Sequence, residues 1–300
     1  MKFFCLCMSP AIDVTVKLPS APKGEGEIFK DVADEENVGG KTVNVARWIA
    51  LRAKGSGIKV VCGGLLGEVN AHLFEYELSR YGIEDRFVRV PGSTRRNEMI
   101  VWPDGSIKLN RVAFPMLENL NGINPLAGAE GCDVAVLSGS LPKCCEKGFY
   151  AECVKSLKER GIMAVIDASG EAMRLGLEAG PDIIKPNAEE CEPLVGFIPR
   201  SPDEFRRATD ALHAKAGHVI ISNGGDGAWF DGEFIPAPQV DVLDTTAAGD
   251  TLLAEFCWRL FAGGEDMKEA GRWAVAAGSA ACTMPGGAPP DAALVARLHT

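Results

Sequence analysis

Asp244-Thr245-Thr246-Ala247-Ala248-Gly249-Asp250 runs directly into Thr251-Leu252-Leu253-Ala254-Glu255-Phe256-Cys257-Trp258-Arg259-Leu260-Phe261. Apolar residues in the second part recur at three and four positions and Gly263-Gly264 follows, so it reads as a helix. The first part is then a small-residue loop entering a helix N-terminus. Unpaired backbone N–H groups and the positive end of the helix dipole suit a phosphate or a developing anion there. With only small side chains at Ala247, Ala248 and Gly249, a phosphoryl group can approach the backbone itself. Asp250 admits two readings: the general base that takes a proton from an attacking hydroxyl, or a carboxylate that stabilises the first helical turn.

Upstream of this loop the chain alternates strands and helices. Asp133 to Leu137 ends in Ser138-Gly139-Ser140-Leu141-Pro142, and Met163 to Ile166 ends in Asp167-Ala168-Ser169-Gly170. Ile183-Ile184 precedes Lys185-Pro186-Asn187-Ala188-Glu189-Glu190, and His218 to Ile221 precedes Ser222-Asn223-Gly224-Gly225-Asp226-Gly227. Helices over 151–160 and 205–216 intervene, which implies a parallel sheet. Ligands of such sheets lie outside the carboxyl ends of the strands, so these polar ends line one crevice. Asn187 with Glu190 has two readings, a capping box or a hold on the water shell of Mg²⁺.

Nearer the N-terminus, Phe3 to Met8 reads as a first buried strand, Ile58 to Cys62 as another and Ala71 to Tyr81 as a helix. Val14, Val16 and Leu18 alternate with polar residues, as does Ile28-Phe29-Lys30-Asp31-Val32, and both read as half-exposed antiparallel strands. A polar hairpin, 98–102 and 106–109 about Pro103-Asp104-Gly105, pairs with them into a small separate sheet. Gly39-Gly40-Lys41-Thr42-Val43-Asn44 is a second ligand-facing helix start. The glycines admit a ligand, while Lys41 and Asn44 offer an ammonium and an amide; an ordinary glycine turn capped by Thr42 is the alternative. Arg95, Arg96 and Arg111 are solvent-facing arginines or contacts to a phosphorylated ligand.

A 300-residue chain with 46% apolar content and a formal charge of -10 accommodates a large α/β domain. That charge argues against a nucleic-acid surface, and no stretch stays apolar long enough to span a bilayer, so the expected partners are small molecules. The short apolar start lacks a cleavage pattern. The ten scattered cysteines read as reduced structural thiols, which points to the cytoplasm.

Taken together and in order, Ser9-Pro10-Ala11-Ile12-Asp13, Gly39 to Asn44, Thr94-Arg95-Arg96-Asn97, Ser138 to Pro142, Lys185 to Glu190 and Asp244 to Asp250 resemble the PfkB-type sugar kinases of the ribokinase superfamily. The resemblance implies a ribokinase-like three-layer α/β/α fold, a mostly parallel sheet in a single domain over 1–300. Small β-lid strands would be inserted from about 13–38 and 87–113. It implies Asp250 as base and the backbone of Ala247, Ala248 and Gly249 as anion hole. Asp13, Gly39, Gly40, Lys41, Asn44, Arg95, Asn97, Arg111 and Ser140 would hold the sugar. Lys185, Ser222, Gly225, Gly227, Gly278 and Ser279 would hold ATP, and Asn187 with Glu190 would hold Mg²⁺ through water. Loops after Asp241 and around Met284-Pro285-Gly286-Gly287 resemble places where the superfamily binds a monovalent cation, K⁺.

Pro10-Ala11-Ile12-Asp13, Gly39-Gly40-Lys41 and Ser138 to Pro142 look like the branch that phosphorylates ketohexose phosphates: fructose 1-phosphate, fructose 6-phosphate or tagatose 6-phosphate. Ser9, Lys143-Cys144 and the lysine-free Glu25-Gly26-Glu27 depart from that branch. A kinase of an unphosphorylated sugar or nucleoside, and a catalytically silent sugar or nucleotide sensor, are the alternatives. A homodimer through the lid is expected, because lid strands have exposed edges.

Overall fold

Apolar segments too short for helices, each followed by an amphipathic helix, dictate βα alternation, and the computed structural model, which describes residues 1–114 and 116–299, has it outside the strands of the second sheet and the last hairpin. In chain order run β1 (Lys2–Cys7), β2 (Ala11–Lys17), β3 (Ala33–Gly39), α1 (Lys41–Ala53), β4 (Lys59–Gly67), α2 (Ala71–Arg80), β5 (Glu84–Val90), β6 (Arg96–Trp102) and β7 (Gly105–Leu109). Then come β8 (Val134–Ser138), α3 (Phe149–Glu159), β9 (Met163–Asp167), α4 (Gly170–Glu178), β10 (Ile183–Ile184), α5 (Glu192–Val195) and α6 (Pro202–His213). The last elements are β11 (His218–Ser222), β12 (Gly227–Phe230), β13 (Glu233–Pro236), α7 (Ala248–Cys257), α8 (Met267–Ala281) and α9 (Ala292–Leu298).

Nine strands form the main sheet in the order β13-β12-β11-β10-β9-β8-β1-β4-β5. Seven are parallel, and the β12–β13 hairpin adds an antiparallel edge. Helices α1, α2, α7, α8 and α9 cover one face and α3, α4 and α6 the other, each over its own apolar cluster. After β1 the chain builds outward through β4 and β5, then returns to lay β8 to β11 on the other side of β1. That reversal opens a crevice at the carboxyl ends of β1 and β8.

The second sheet, β3-β2-β6-β7, stands off the body as a lid. Its β2 pairs antiparallel with β3 but parallel with β6, so the lid is mixed rather than wholly antiparallel. Two expectations need correction. Residues 28–32 are not a strand; β3 is the more acidic Ala33–Gly39, placed by pairing with β2 rather than by its own alternation. Strand β5 pairs with β4 in the main sheet, so the second lid segment starts at Arg96 and not at 87.

Candidate active site

The loop 244–247 enters α7 through Ala247 in the left-handed region, φ 62° and ψ 5°. An alanine pays for that conformation with about 1 kcal/mol. Asp244 steadies the turn, its carboxylate accepting from the amides of Thr246 and Gly286, both at 2.9 Å. The ladder of α7 begins where Thr251 N donates to Ala247 O at 2.8 Å, and Ala248 N bends back to Thr245 O at 3.3 Å. Among the described residues the amides of Gly249 and Asp250 have no partner, so the helix start keeps free donors.

Asp250 lies in the first turn of α7 and is buried. Desolvation, reinforced by the nearby Asp167 charge, raises its carboxyl to about 6. The Asn44 amide, which donates to its Oδ2 at 2.9 Å, and the cations Lys41 and Lys185 work the other way. A carboxylate poised this way is ionised at neutral pH yet basic enough to take a proton.

Asp167, at the end of β9, gathers the cations. Its Oδ1 lies 3.2 Å from Lys185 Nζ and 3.6 Å from Lys41 Nζ, and Ser138 Oγ donates to its Oδ2 at 3.2 Å. Burial opposes the charge on Lys41, but Asp167, Asp250 and Glu190 outweigh it and raise its pKa. A Cβ added at Gly249 would stand 3.5 Å from Lys185 Nζ, so that ammonium faces the helix start. The sequence places Asp167 among the polar strand ends that line the crevice, as the first polar residue after a buried parallel strand; its pairing with Lys41 and Lys185 is not legible there.

On the lid side, Asn97 Nδ2 donates to Asp13 Oδ1 at 2.9 Å, and the Gly39 backbone lies so close to the Asp13 carboxylate that a Cβ there would collide with it. Gly40 turns into α1 at φ 124°, where only glycine fits without strain. Thr42 does not cap that helix: its hydroxyl is shared between Leu6 O and Ser138 O, 2.9 and 2.6 Å away. Arg111 pairs with Glu98 and Arg96 with Glu36. Among the described residues Arg95 donates to carbonyls, of Arg111 and Ser9, each at 3.3 Å. Ser140 is exposed in the loop after β8.

Beside the α7 start lies a cleft of about 410 Å³. Asn187, Ser222, Gly225 and Gly227 form one wall and Ala248, Gly249, Gly278 and Ser279 another. Asn187 and Glu190 make the reciprocal capping box: Asn187 N donates to Glu190 Oε2 at 2.9 Å and Glu190 N to Asn187 Oδ1 at 2.8 Å. The second carboxylate oxygen of Glu190 takes no part in that box, which suits the outer-sphere hold that Mg²⁺ accepts. No cluster of three or more metal-ligating side chains occurs among the described residues.

A parallel sheet whose strand ends bring a buried carboxylate and a lysine, joined by a second lysine from the start of α1, to an amide-lined helix start, beside a nucleotide-sized cleft, has the layout of a phosphoryl-transfer enzyme. The chain belongs to the pfkB family of carbohydrate kinases, whose pattern matches residues 6–293. It is 32% identical over 267 residues to the 1-phosphofructokinase of Escherichia coli strain K12, covering 85% of this chain and 83% of that one. To the 1-phosphofructokinase of Haemophilus influenzae it is 33% identical over 225 residues, 72% of this chain and 71% of that one. Among solved structures, phosphofructokinase-2 from Escherichia coli in complex with substrates and products matches with a TM-score of 0.83 at 25% identity, over 100% of this chain and 98% of that one. Ribokinase from Thermotoga maritima matches at 0.75 and 21% identity, over 99% and 98%. The fold is therefore ribokinase-like, and the chain is a sugar kinase that transfers phosphate to an alcohol group.

Proposed function

We propose that the chain transfers the γ-phosphoryl group of ATP to a primary hydroxyl of a ketohexose phosphate, with Asp250 as base and the Ala247–Gly249 backbone as anion hole. Fructose 1-phosphate is the first choice, given the 1-phosphofructokinase relatives; fructose 6-phosphate and tagatose 6-phosphate are the others. The observation that carries this reading is the buried Asp250 at a helix start with free amides, its carboxylate held by Asn44. A phosphorylated substrate is favoured by the cations. Lys41, Arg96 and Arg111 each have a carboxylate partner, whereas among the described residues Arg95 meets carbonyls alone. An anionic substrate group supplies what Arg95 lacks.

In this reading Asp13, Gly39, Gly40, Asn44 and Asn97 hold the sugar hydroxyls, with Ser140 and Arg111 at the rim. Ser222, Gly225, Gly227, Gly278 and Ser279 line the place of the nucleotide, and Lys185 and Lys41 face its transferred phosphate. Mg²⁺, held through water by Asn187 and Glu190, neutralises charge on the ATP phosphates when bound. A K⁺ between the loops after Asp241 and around 284–287 completes the set; Asp244 already joins them through Gly286. Asp250 takes the hydroxyl proton as the oxygen attacks, and the amides of the α7 start receive the charge of the transferring group. The lid excludes water that would otherwise accept the phosphoryl. Exposed apolar residues on and around its edge strands, among them Ile107, Leu109 and Val32, favour a homodimer through the lid.

The test is ADP release against fructose 1-phosphate, fructose 6-phosphate, tagatose 6-phosphate, fructose and ribose. Turnover confined to the phosphorylated ketohexoses is expected. Equal or better turnover of ribose or fructose would move the substrate to an unphosphorylated sugar, and no turnover with tight sugar binding would make the protein a sensor.

A further inference from the structure

Arg47 follows Asn44 by three residues and so shares its face of α1. It is buried, unusually for an arginine, and its guanidinium joins three elements. Nη1 donates to Asn44 Oδ1 at 3.4 Å, and Nη2 donates to the Val38 carbonyl on lid strand β3 and pairs with Glu77 Oε1 of α2 at 2.9 Å. Tyr81, just past α2, lies against the same group at 5.9 Å.

We propose that Arg47 is a positioning residue for the reaction: it fixes which end of the Asn44 amide meets Asp250 and ties that choice to the lid. The two ends of an asparagine amide are nearly alike in shape but opposite in hydrogen bonding. Arginine donates only, so the face of Asn44 turned to Arg47 must be its carbonyl oxygen. Nδ2 is left to donate to Asp250 Oδ2, at 2.9 Å. Reversed, the amide would set its oxygen against the carboxylate and withdraw the neutral donor that Asn44 gives Asp250. A guanidinium present only to neutralise Glu77 would need neither the Asn44 nor the Val38 contact. Val38 directly precedes Gly39-Gly40, so one guanidinium spans the lid strand, the glycine turn's entry and the amide on the base.

The proposal rests on Asp250 being the base and predicts a signed change in pH dependence. Asp250 is faced by Lys41 and Asn44 from α1, Asp167 from the end of β9 and Lys185 from beyond β10, while Arg47 is faced by Glu77 and Tyr81. The Asn44 bond lowers the proton affinity of Asp250, so its loss moves the acid limb of kcat/KM to higher pH. For full-length Arg47→Met the expected shift is about half a pH unit or more, with kcat down about tenfold and KM for ATP within about twofold. Glu77→Gln, which keeps the arginine but loosens it, should shift the limb the same way by less. In an Asn44→Ala background Arg47→Met should move the limb no further. An unmoved limb with only a lower Tm, or shifts that add across the double variant, would overturn the proposal. If Arg47→Met does not fold, an unmoved limb in Glu77→Gln does so. An active Asp250→Asn enzyme would instead sink the base assignment, a separate failure.

Discussion

Asp250 carries its carboxylate into a buried first helical turn. Burial and Asp167 hold its pKa near 6, well above the ordinary 3.8. Below that midpoint the carboxyl is protonated, so, with Asp250 in the proposed role of base, kcat/KM should decline on the acid side with a midpoint near 6. A rate profile flat down to pH 5 would contradict this. Arg95→Ala should raise KM for the sugar phosphate at least about tenfold while leaving KM for ATP nearly unchanged, since a charge-assisted contact to an anion is worth about 1.5–3 kcal/mol; an unchanged sugar KM would remove Arg95 from the site. Asn44 and Asp250 could be singled out in sequence because small residues around them leave backbone free for a ligand, and the fold brings the two together. Asp167 was legible only as a polar strand end, because its partners Lys41 and Lys185 arrive from other elements and leave no local pattern.

At the scale of elements, α7 is tied to α1 at two levels: Asn44 to Asp250, and Trp48 Nε1 to Glu255 Oε2 at 2.7 Å. Glu255 is fully buried and is also met by Arg52 Nε at 3.3 Å and Arg259 Nε at 2.8 Å. Glu255→Ala leaves those guanidinium groups without their shared partner. Urea unfolding should show a loss of about 3–5 kcal/mol, and a loss under about 1 kcal/mol would mean that the tie carries no weight. The parallel strands and their helices could be read from periodicity because buried strands are continuous apolar runs. The lid resisted that reading: β3 spells Ala-Asp-Glu-Glu-Asn-Val-Gly and owes its strand state to β2, while the better alternating run at 28–32 lies outside any strand. The regular helix read through Phe261 likewise gives way at Cys257 to a π-helical turn over Trp258–Gly263.

The whole molecule consists of a parallel body that holds the amide-lined helix start and a second sheet on which Asn97 and Asp13 are joined. All ten cysteines are free, and burial pushes the Cys7 and Cys191 thiols up to about 12, in keeping with structural rather than reactive sulfur. None of the helices among the described residues is long and apolar enough to cross a membrane. If the lid edges meet across a two-fold axis, sedimentation should give twice the 31.9 kDa chain mass at micromolar concentration, and Ile107→Glu should yield monomer. Wild-type protein that stays monomeric while fully active would contradict the lid interface. The central claim is that Asp250 deprotonates the acceptor hydroxyl at the head of α7. Its most direct test is the turnover of Asp250→Asn on fructose 1-phosphate with ATP at pH 8. The account predicts a fall of about a thousandfold or more with Tm not lowered, since removing a buried charge relieves desolvation; turnover within tenfold of wild type would contradict it.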